Sequence, residues 1–200
     1  QGAPLAPAFH QQVFHSTEQN RVIINIGGIA NITALPADTS LPVTGFDTGP
    51  GNTLIDFICQ QNLSSRYDPE GKNARQGMII EPLLQSMLDR EPYFKLLSPK
   101  STGTDYFSPD WLSLFNCHQY ATSDLLATLT ELTVISICRA ILTLPVAPEA
   151  CFVCGGGAHN DYLMERLTQH LGHISVDSTN KLGIDPDWIE AMAFAWLAKQ

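Results

Sequence analysis

The sequence is poor in positive charge. Eleven Lys and Arg stand against 20 Asp and Glu, a net charge of -9 over 200 residues. Nucleic-acid binders carry the opposite excess, so that class is excluded. The opening "QGAPLAPAFHQQ" lacks the basic and apolar regions of a secretory leader. It also lacks an initial Met, which points to a chain cut from something longer. Uncharged apolar runs of membrane length are missing. The longest, residues 125–144, contains Glu131, Arg139 and four threonines, the composition of a buried helix in a soluble protein. No membrane partner is expected. The five cysteines are odd in number and irregular in spacing, which argues against a disulfide framework and for a reducing, cytoplasmic setting. Cys151 and Cys154 form a C-x-x-C, but three residues apart on a strand they face opposite ways, so two buried thiols are expected. His170 and His173 have no third ligand at useful spacing, so no side-chain metal site is assigned. Neither G-x-x-x-x-G-K-[ST] nor G-x-G-x-x-G occurs.

What is present is 44% hydrophobic and 16% charged, enough for one large domain or two small ones with a sizeable core. "RVIINI" (21–26) and "IANITAL" (29–35), joined by Gly27-Gly28, predict a hairpin, and 43–46 a third strand. Helical spacing of Leu54, Ile55, Ile58 and Cys59 predicts a helix over 52–62. Loops over 64–77 and 98–110 flank a helix over 79–90, and a short helix follows at 110–115. Thr122 or Ser123 caps a long helix to about Leu144, ended by Pro145 and Pro148. "ACFVC" is a strand, 160–171 a helix and "HISVD" a last strand. Asp185 caps a final helix with Pro186 at its first position, and Ile189, Met192, Ala193, Trp196 and Leu197 form its apolar stripe. The order predicts an α/β protein with a mixed sheet flanked by helices.

Three glycine turns follow strands: Gly27-Gly28, Gly49-Pro50-Gly51 and Gly155-Gly156-Gly157. Ligands of open α/β sheets bind beyond the carboxyl ends of the strands, and helix N-termini there suit phosphate. The second turn lies in "GFDTGPGN" (45–52), where nearly every side chain is small, polar or conformationally special. Asp47 within it could hold a water on Mg²⁺ or bond a substrate hydroxyl; equally, it could bond its own turn. Asp56 reads as a solvated or capping side chain. The polar loop of Lys100, Ser101, Thr102 and Gly103 suits an anionic or sugar ligand, or is a surface turn. Glu190 could reach a ligand or simply favour its helix dipole, and His159 reads as structural.

Taken together, "VIINIGGIANITAL", "GFDTGPGNTLIDF", "PKSTGTDYF", "CGGGAHNDYLMERL" and "EAMAFAWLA" closely resemble the anhydro-N-acetylmuramic acid kinases, bacterial enzymes of cell-wall recycling. The resemblance implies the second, C-terminal domain of an actin-like, ribonuclease-H-like ATPase fold over residues 1–200. It further implies a kinase that opens the 1,6-anhydro ring with water and phosphorylates O6. Other sugar kinases of the superfamily, or a non-catalytic nucleotide-binding module, are the alternative readings. By resemblance, Asn25, Gly27, Gly28 and Asn31 face the phosphates of ATP, and Gly155, Gly156, Gly157 and Asn160 form the adenosine side. Asp47, Thr48, Gly49, Lys100, Ser101 and Glu190 line the sugar side, with Mg²⁺ on the phosphates rather than on side chains. Phosphates and sugar would then meet at Asp47–Asn52, which would leave little room there for side chains. The family's aspartate base lies a few residues before "QGAPL", and its "KSTGRE" stands here as "KSTGTD", with Thr104 and Asp105. The implied partners are the small anhydro-amino-sugar and an N-terminal domain, with room for a homodimer.

Overall fold

The computed structural model describes residues 6–198; Gln1–Leu5, Lys199, Gln200 and the Leu197 side chain lie outside the described residues. A five-stranded sheet runs in the order β3-β2-β1-β4-β5. Strands β1 (Arg21–Ile26), β2 (Ile29–Leu35) and β3 (Thr44–Pro50) form an antiparallel meander. Strands β4 (Ala150–Cys154) and β5 (Ser175–Ser178) continue in parallel from β1. The helices are α1 (Ala6–Phe14), α2 (Thr53–Asn62), α3 (Glu81–Arg90), α4 (Pro109–Ser113), α5 (Thr122–Leu142), α6 (Asp161–Leu171) and α7 (Ile189–Leu197).

Alternation along the strands decides what covers each face. Val22, Ile24 and Ile26 of β1, with Ile32 of β2 and Val153 of β4, pack against α5 and α6. Ile23, Leu35 and Phe152 pack on the other face with Phe9 and Phe14 of α1 and Ile189 of α7. Cys151 belongs to the first of these cores and Cys154 to the second, so the two thiols do face opposite ways. A third core joins the first half of α5 to α2, α3 and α4, through Leu54, Met87, Trp111 and Leu126 among others. Among the described residues α5 is the one helix long and apolar enough to cross a membrane, and it lies in the interior of the fold.

Four expectations change. The short strand at 43–46 runs on to Pro50, so most of "GFDTGPGN" is β3 itself, held by pairing with β2. Helix α1, not expected, covers the sheet through Phe9 and Phe14. Ala121, not Thr122 or Ser123, occupies the N-cap of α5. The final helix begins at Ile189 rather than Pro186, because the Asp185 carboxylate accepts from the Asp187 N–H at 2.9 Å and closes a separate turn. Ile189 and Ala193 of the expected stripe pack inward, whereas Met192 is exposed.

One buried charge ties α5 to α6. Glu131 is 4% exposed and accepts from Arg166 Nε and Nη2 at 2.7 Å each, with His170 Nε2 at 2.6 Å. Burial pushes its carboxyl pKa up, but the hydrogen bonds and charges of Arg166 and His170 outweigh this and hold it below the ordinary value. The pair therefore contributes fully at neutral pH, and its contribution is lost as pH falls through the lowered pKa. Arg166→Ala should destabilise the fold by about 3 kcal/mol at neutral pH, since it leaves a buried carboxylate without its main partner. Urea unfolding at pH 7 and in acid checks both points: the deficit should shrink in acid.

Candidate active site

The three glycine turns meet at one edge of the sheet, and most of their glycines are required by protein contacts. A Cβ on Gly51 would lie 2.4 Å from the Gly27 carbonyl oxygen, and one on Gly157 would lie 2.5 Å from Ile26 Cβ. Gly49, at a φ of +156°, would bring a Cβ to 2.9 Å from Phe94 Cε1. The crowding within "GFDTGPGN" is thus protein against protein: the hairpin packs on one side of it, Phe94 and α5 on the other. The α2 N-terminus is not an open anion site, because the N–H groups of Gly51, Asn52 and Thr53 donate to the Gly27 and Gly28 carbonyls at 2.8–3.1 Å. At α6 the Asn160 side chain caps the helix, accepting from Leu163 N–H at 3.0 Å.

These bonds fix the hairpin tip and leave other donors in place. The N–H groups of Gly27, Gly28 and Gly156 bond no backbone carbonyl among the described residues. Gly156 has an ordinary φ, and a Cβ there would meet nothing nearer than Asn52 Nδ2 at 3.7 Å. Behind the tip, strand register sets Asp47, Asn31, Asn25 and Cys154 side by side across four strands. They form a polar row on one sheet face, ended by a buried thiol that donates to Asn25 Oδ1 at 3.8 Å.

A cleft lies on each side of the tip. The first, of about 460 Å³, runs between α2 and the glycine turn and is lined by Asn52, Asp56, Tyr67, Glu70, Gly156 and Asn160. Asn52 Nδ2 donates to the Ile26 carbonyl at 3.2 Å, which ties α2 to the hairpin. Asp56, expected as a solvated or capping side chain, is only partly exposed. It is half-buried on the wall of this cleft, and burial raises its pKa to about 6.

The second cleft, of about 770 Å³, is walled by Tyr93, Tyr106 and the loop Ser101–Asp105. Asp47 builds that loop. Its carboxylate accepts from Ser101 Oγ at 2.9 Å and Thr102 N–H at 3.0 Å, while its own N–H donates to the Lys100 carbonyl at 3.0 Å. Both carboxylate bonds use Oδ2, so Asp47 organises a different loop rather than its own turn. The Thr102 hydroxyl is buried beside it with no partner among the described residues. The loop reaches the hairpin through Thr104, whose Cγ2 lies 3.0 Å from where a Gly28 Cβ would be. Buried Glu91 supports the far wall, accepting from Tyr106 Oη and Trp111 Nε1 at 2.6 Å each.

Some expected site residues stand elsewhere. Thr48 is 1% exposed, and its hydroxyl donates to the Ala30 carbonyl, so it does not line the second cleft. Lys100 Nζ donates to the Tyr93 carbonyl at 3.0 Å and lies 4.5 Å over the Tyr93 ring; it latches the loop, and burial lowers its pKa. Gly155 and Gly157 pack on β1 through Asn25 and Ile26. Glu190 is exposed in the first turn of α7. The segment before it is tied to the glycine turn, by Gly155 N–H to the Pro186 carbonyl at 3.1 Å and His159 to Asp187 at 2.9 Å, and not to the Lys100 loop. Asp56, Tyr67 and Tyr106 are cleft residues that sequence reasoning missed. Only Asp56 carried a signal, its position four residues after Asn52 on one helix face.

The same fold is found in a solved sugar kinase. The xylulose kinase of Rhodospirillum rubrum shares it at a TM-score of 0.51 and 13% identity, over 96% of this chain and 41% of that one. The chain belongs to the anhydro-N-acetylmuramic acid kinase family, whose model matches residues 1–200. It is 51% identical to the anhydro-N-acetylmuramic acid kinase of Hahella chejuensis, over 99% of this chain and 53% of that protein. It is 46% identical to that of Coxiella burnetii strain Dugway 5J108-111, over 100% of this chain and 54% of that protein. The chain therefore spans about half the length of the curated relatives it matches.

Proposed function

We propose that this chain is the C-terminal domain of a two-domain kinase that converts anhydro-N-acetylmuramic acid and ATP to N-acetylmuramate 6-phosphate in the bacterial cytoplasm. The observation that carries the reading is the hairpin tip, with its free N–H groups, standing between two clefts in a chain of this family. ATP takes the α2 cleft, with its phosphates on the N–H groups of Gly27, Gly28 and Gly156. Asn25 and Asn31 form the polar floor, and Asn160 shapes the nucleoside end. The sugar takes the other cleft, against Asp47, Ser101 and the Thr102 hydroxyl.

The reaction balances as follows. Water adds at C1 of the sugar and gives its proton to a base; the C1–O6 bond breaks, and O6 takes the γ-phosphoryl as ADP leaves. The base is assigned to the aspartate that the family carries before "QGAPL", in the other half of the protein. Positioning and converging donors carry phosphoryl transfer, so this half of the site contributes orientation. Among the described residues no three His, Cys, Asp or Glu gather as a metal cluster. A phosphate-bound Mg²⁺ needs only one or two carboxylates and keeps its waters, and the Oδ1 of Asp47 fits that need. Bound there, Mg²⁺ would neutralise phosphate charge.

The test is sugar-dependent ADP release by the full-length protein with Mg-ATP, with the phosphosugar identified by mass. ATP binding without turnover would instead support a non-catalytic module. We also propose that Glu190 reaches bound ligand once the second domain is present. Glu190→Gln should lower turnover by about tenfold or more, a loss of about 1.4 kcal/mol of transition-state stabilisation, with an unchanged melting temperature. Wild-type turnover in that variant removes Glu190 from the site.

A further inference from the structure

The nucleotide-side cleft contains a carboxylate for which the fold provides no partner. Its other polar side chains are engaged, apart from the exposed Tyr67 hydroxyl. Asn52 bonds the Ile26 carbonyl, and Asp68 accepts from Asn73 and Ala74. Glu70 pairs with Lys72 at 2.9 Å, His159 pairs with Asp187, and Asn160 caps α6. Asp56 is half-buried on the same wall, and its carboxylate makes no hydrogen bond or ion pair among the described residues. A half-buried carboxylate facing a cleft with no protein donor bonded to it is an acceptor that a ligand can use.

The position says which part of the ligand. Asp56 follows Asn52, the N-cap of α2, by four residues, on the same face and about 6 Å further along the helix. Asn52 sits at the hairpin, beside Gly156. Asp56 is therefore one helical turn away from the phosphate donors, about the span from the first phosphate of a nucleotide to its sugar hydroxyls. Asp56 also places negative charge at this end, which disfavours phosphates there and sets the direction in which a nucleotide lies. Burial has raised the Asp56 pKa, as expected for a group whose stabilising partner comes from outside.

Resting on the reading of this cleft as the nucleotide side, we propose that Asp56 accepts hydrogen bonds from the ribose hydroxyls of ATP and makes the cleft selective for ribonucleotides. A hydrogen bond to a charged acceptor is strong, and its loss leaves the carboxylate unpaired.

Calorimetric titration of the full-length protein with ATP, 2′-deoxy-ATP, 3′-deoxy-ATP and GTP tests this, on the wild type, Asp56→Ala and Asp56→Asn. The wild type should bind ATP about tenfold to a hundredfold more tightly than at least one deoxy analogue. Asp56→Ala should bind ATP and that analogue equally, with Asp56→Asn between the two. A wild type that binds all ribose forms alike, or an Asp56→Ala variant that still discriminates, overturns the proposal. Loss of ATP-over-GTP preference in Asp56→Ala, with ribose discrimination intact, also overturns it and moves the carboxylate to the base. A wild type that binds no nucleotide overturns the reading of the cleft as well.

Discussion

Gly156→Val in the full-length protein should weaken ATP binding about a hundredfold or more, equivalent to about 3 kcal/mol, and leave the fold intact. Gly156 is exposed, its backbone suits any residue, and the nearest atom to an added Cβ is Asn52 Nδ2 at 3.7 Å. The valine methyl groups would therefore enter the cleft and bar phosphate oxygens from the Gly156 N–H without pressing on the core. Its neighbour supplies the contrast. At Gly157 the added Cβ would lie 2.5 Å from Ile26 Cβ and Cγ2, inside the core between β1 and the turn. Gly157→Val should lose the folded state, seen as loss of the cooperative melting transition. Calorimetric ATP affinity unchanged in Gly156→Val would remove this turn from the phosphate site.

Asp47→Ala should lower turnover about a hundredfold or more, the usual result of losing one preorganised polar group at a reacting centre. Asp47 is 6% exposed and holds the loop of the second cleft through Ser101 and Thr102, and both bonds use Oδ2. Alanine removes the carboxylate and releases the loop together. Ser101→Ala separates the two effects, since it deletes one loop bond and keeps the carboxylate. Its turnover should fall by a few-fold only, with a raised sugar KM. If Asp47→Ala keeps turnover within a few-fold of wild type, or loses it only by unfolding, Asp47 is structural.

The fold was most legible where local pattern and burial agree. β1, β2 and β4 fall where alternating β-branched residues placed them, because each side chain packs on a core as the pleat demands. The start of β3 was legible at 43–46, but its run to Pro50 was hidden because Asp47, Gly49 and Pro50 have little strand propensity; pairing with β2 and close packing extend the strand. Helix α1 was hidden by its shortness, and its stability comes from burying Phe9 and Phe14 against the sheet. The glycine turns were readable as places that forbid side chains, but not what forbids them. Ile26 and the Gly27 carbonyl stand far from Gly157 and Gly51 in sequence. The same limit hid the cleft role of Asp56, which depends on how α2 faces the glycine turn.

The central claim is that nucleotide and anhydro-sugar meet across the hairpin tip, so that water attacks the sugar and never the phosphate. Turnover of the full-length protein in heavy-oxygen water, with mass analysis of both products, tests it most directly. The account predicts one heavy oxygen at C1 of the sugar phosphate and none in the phosphoryl group. Heavy oxygen in released inorganic phosphate, with no labelled sugar, would show ATP hydrolysis instead and contradict the account.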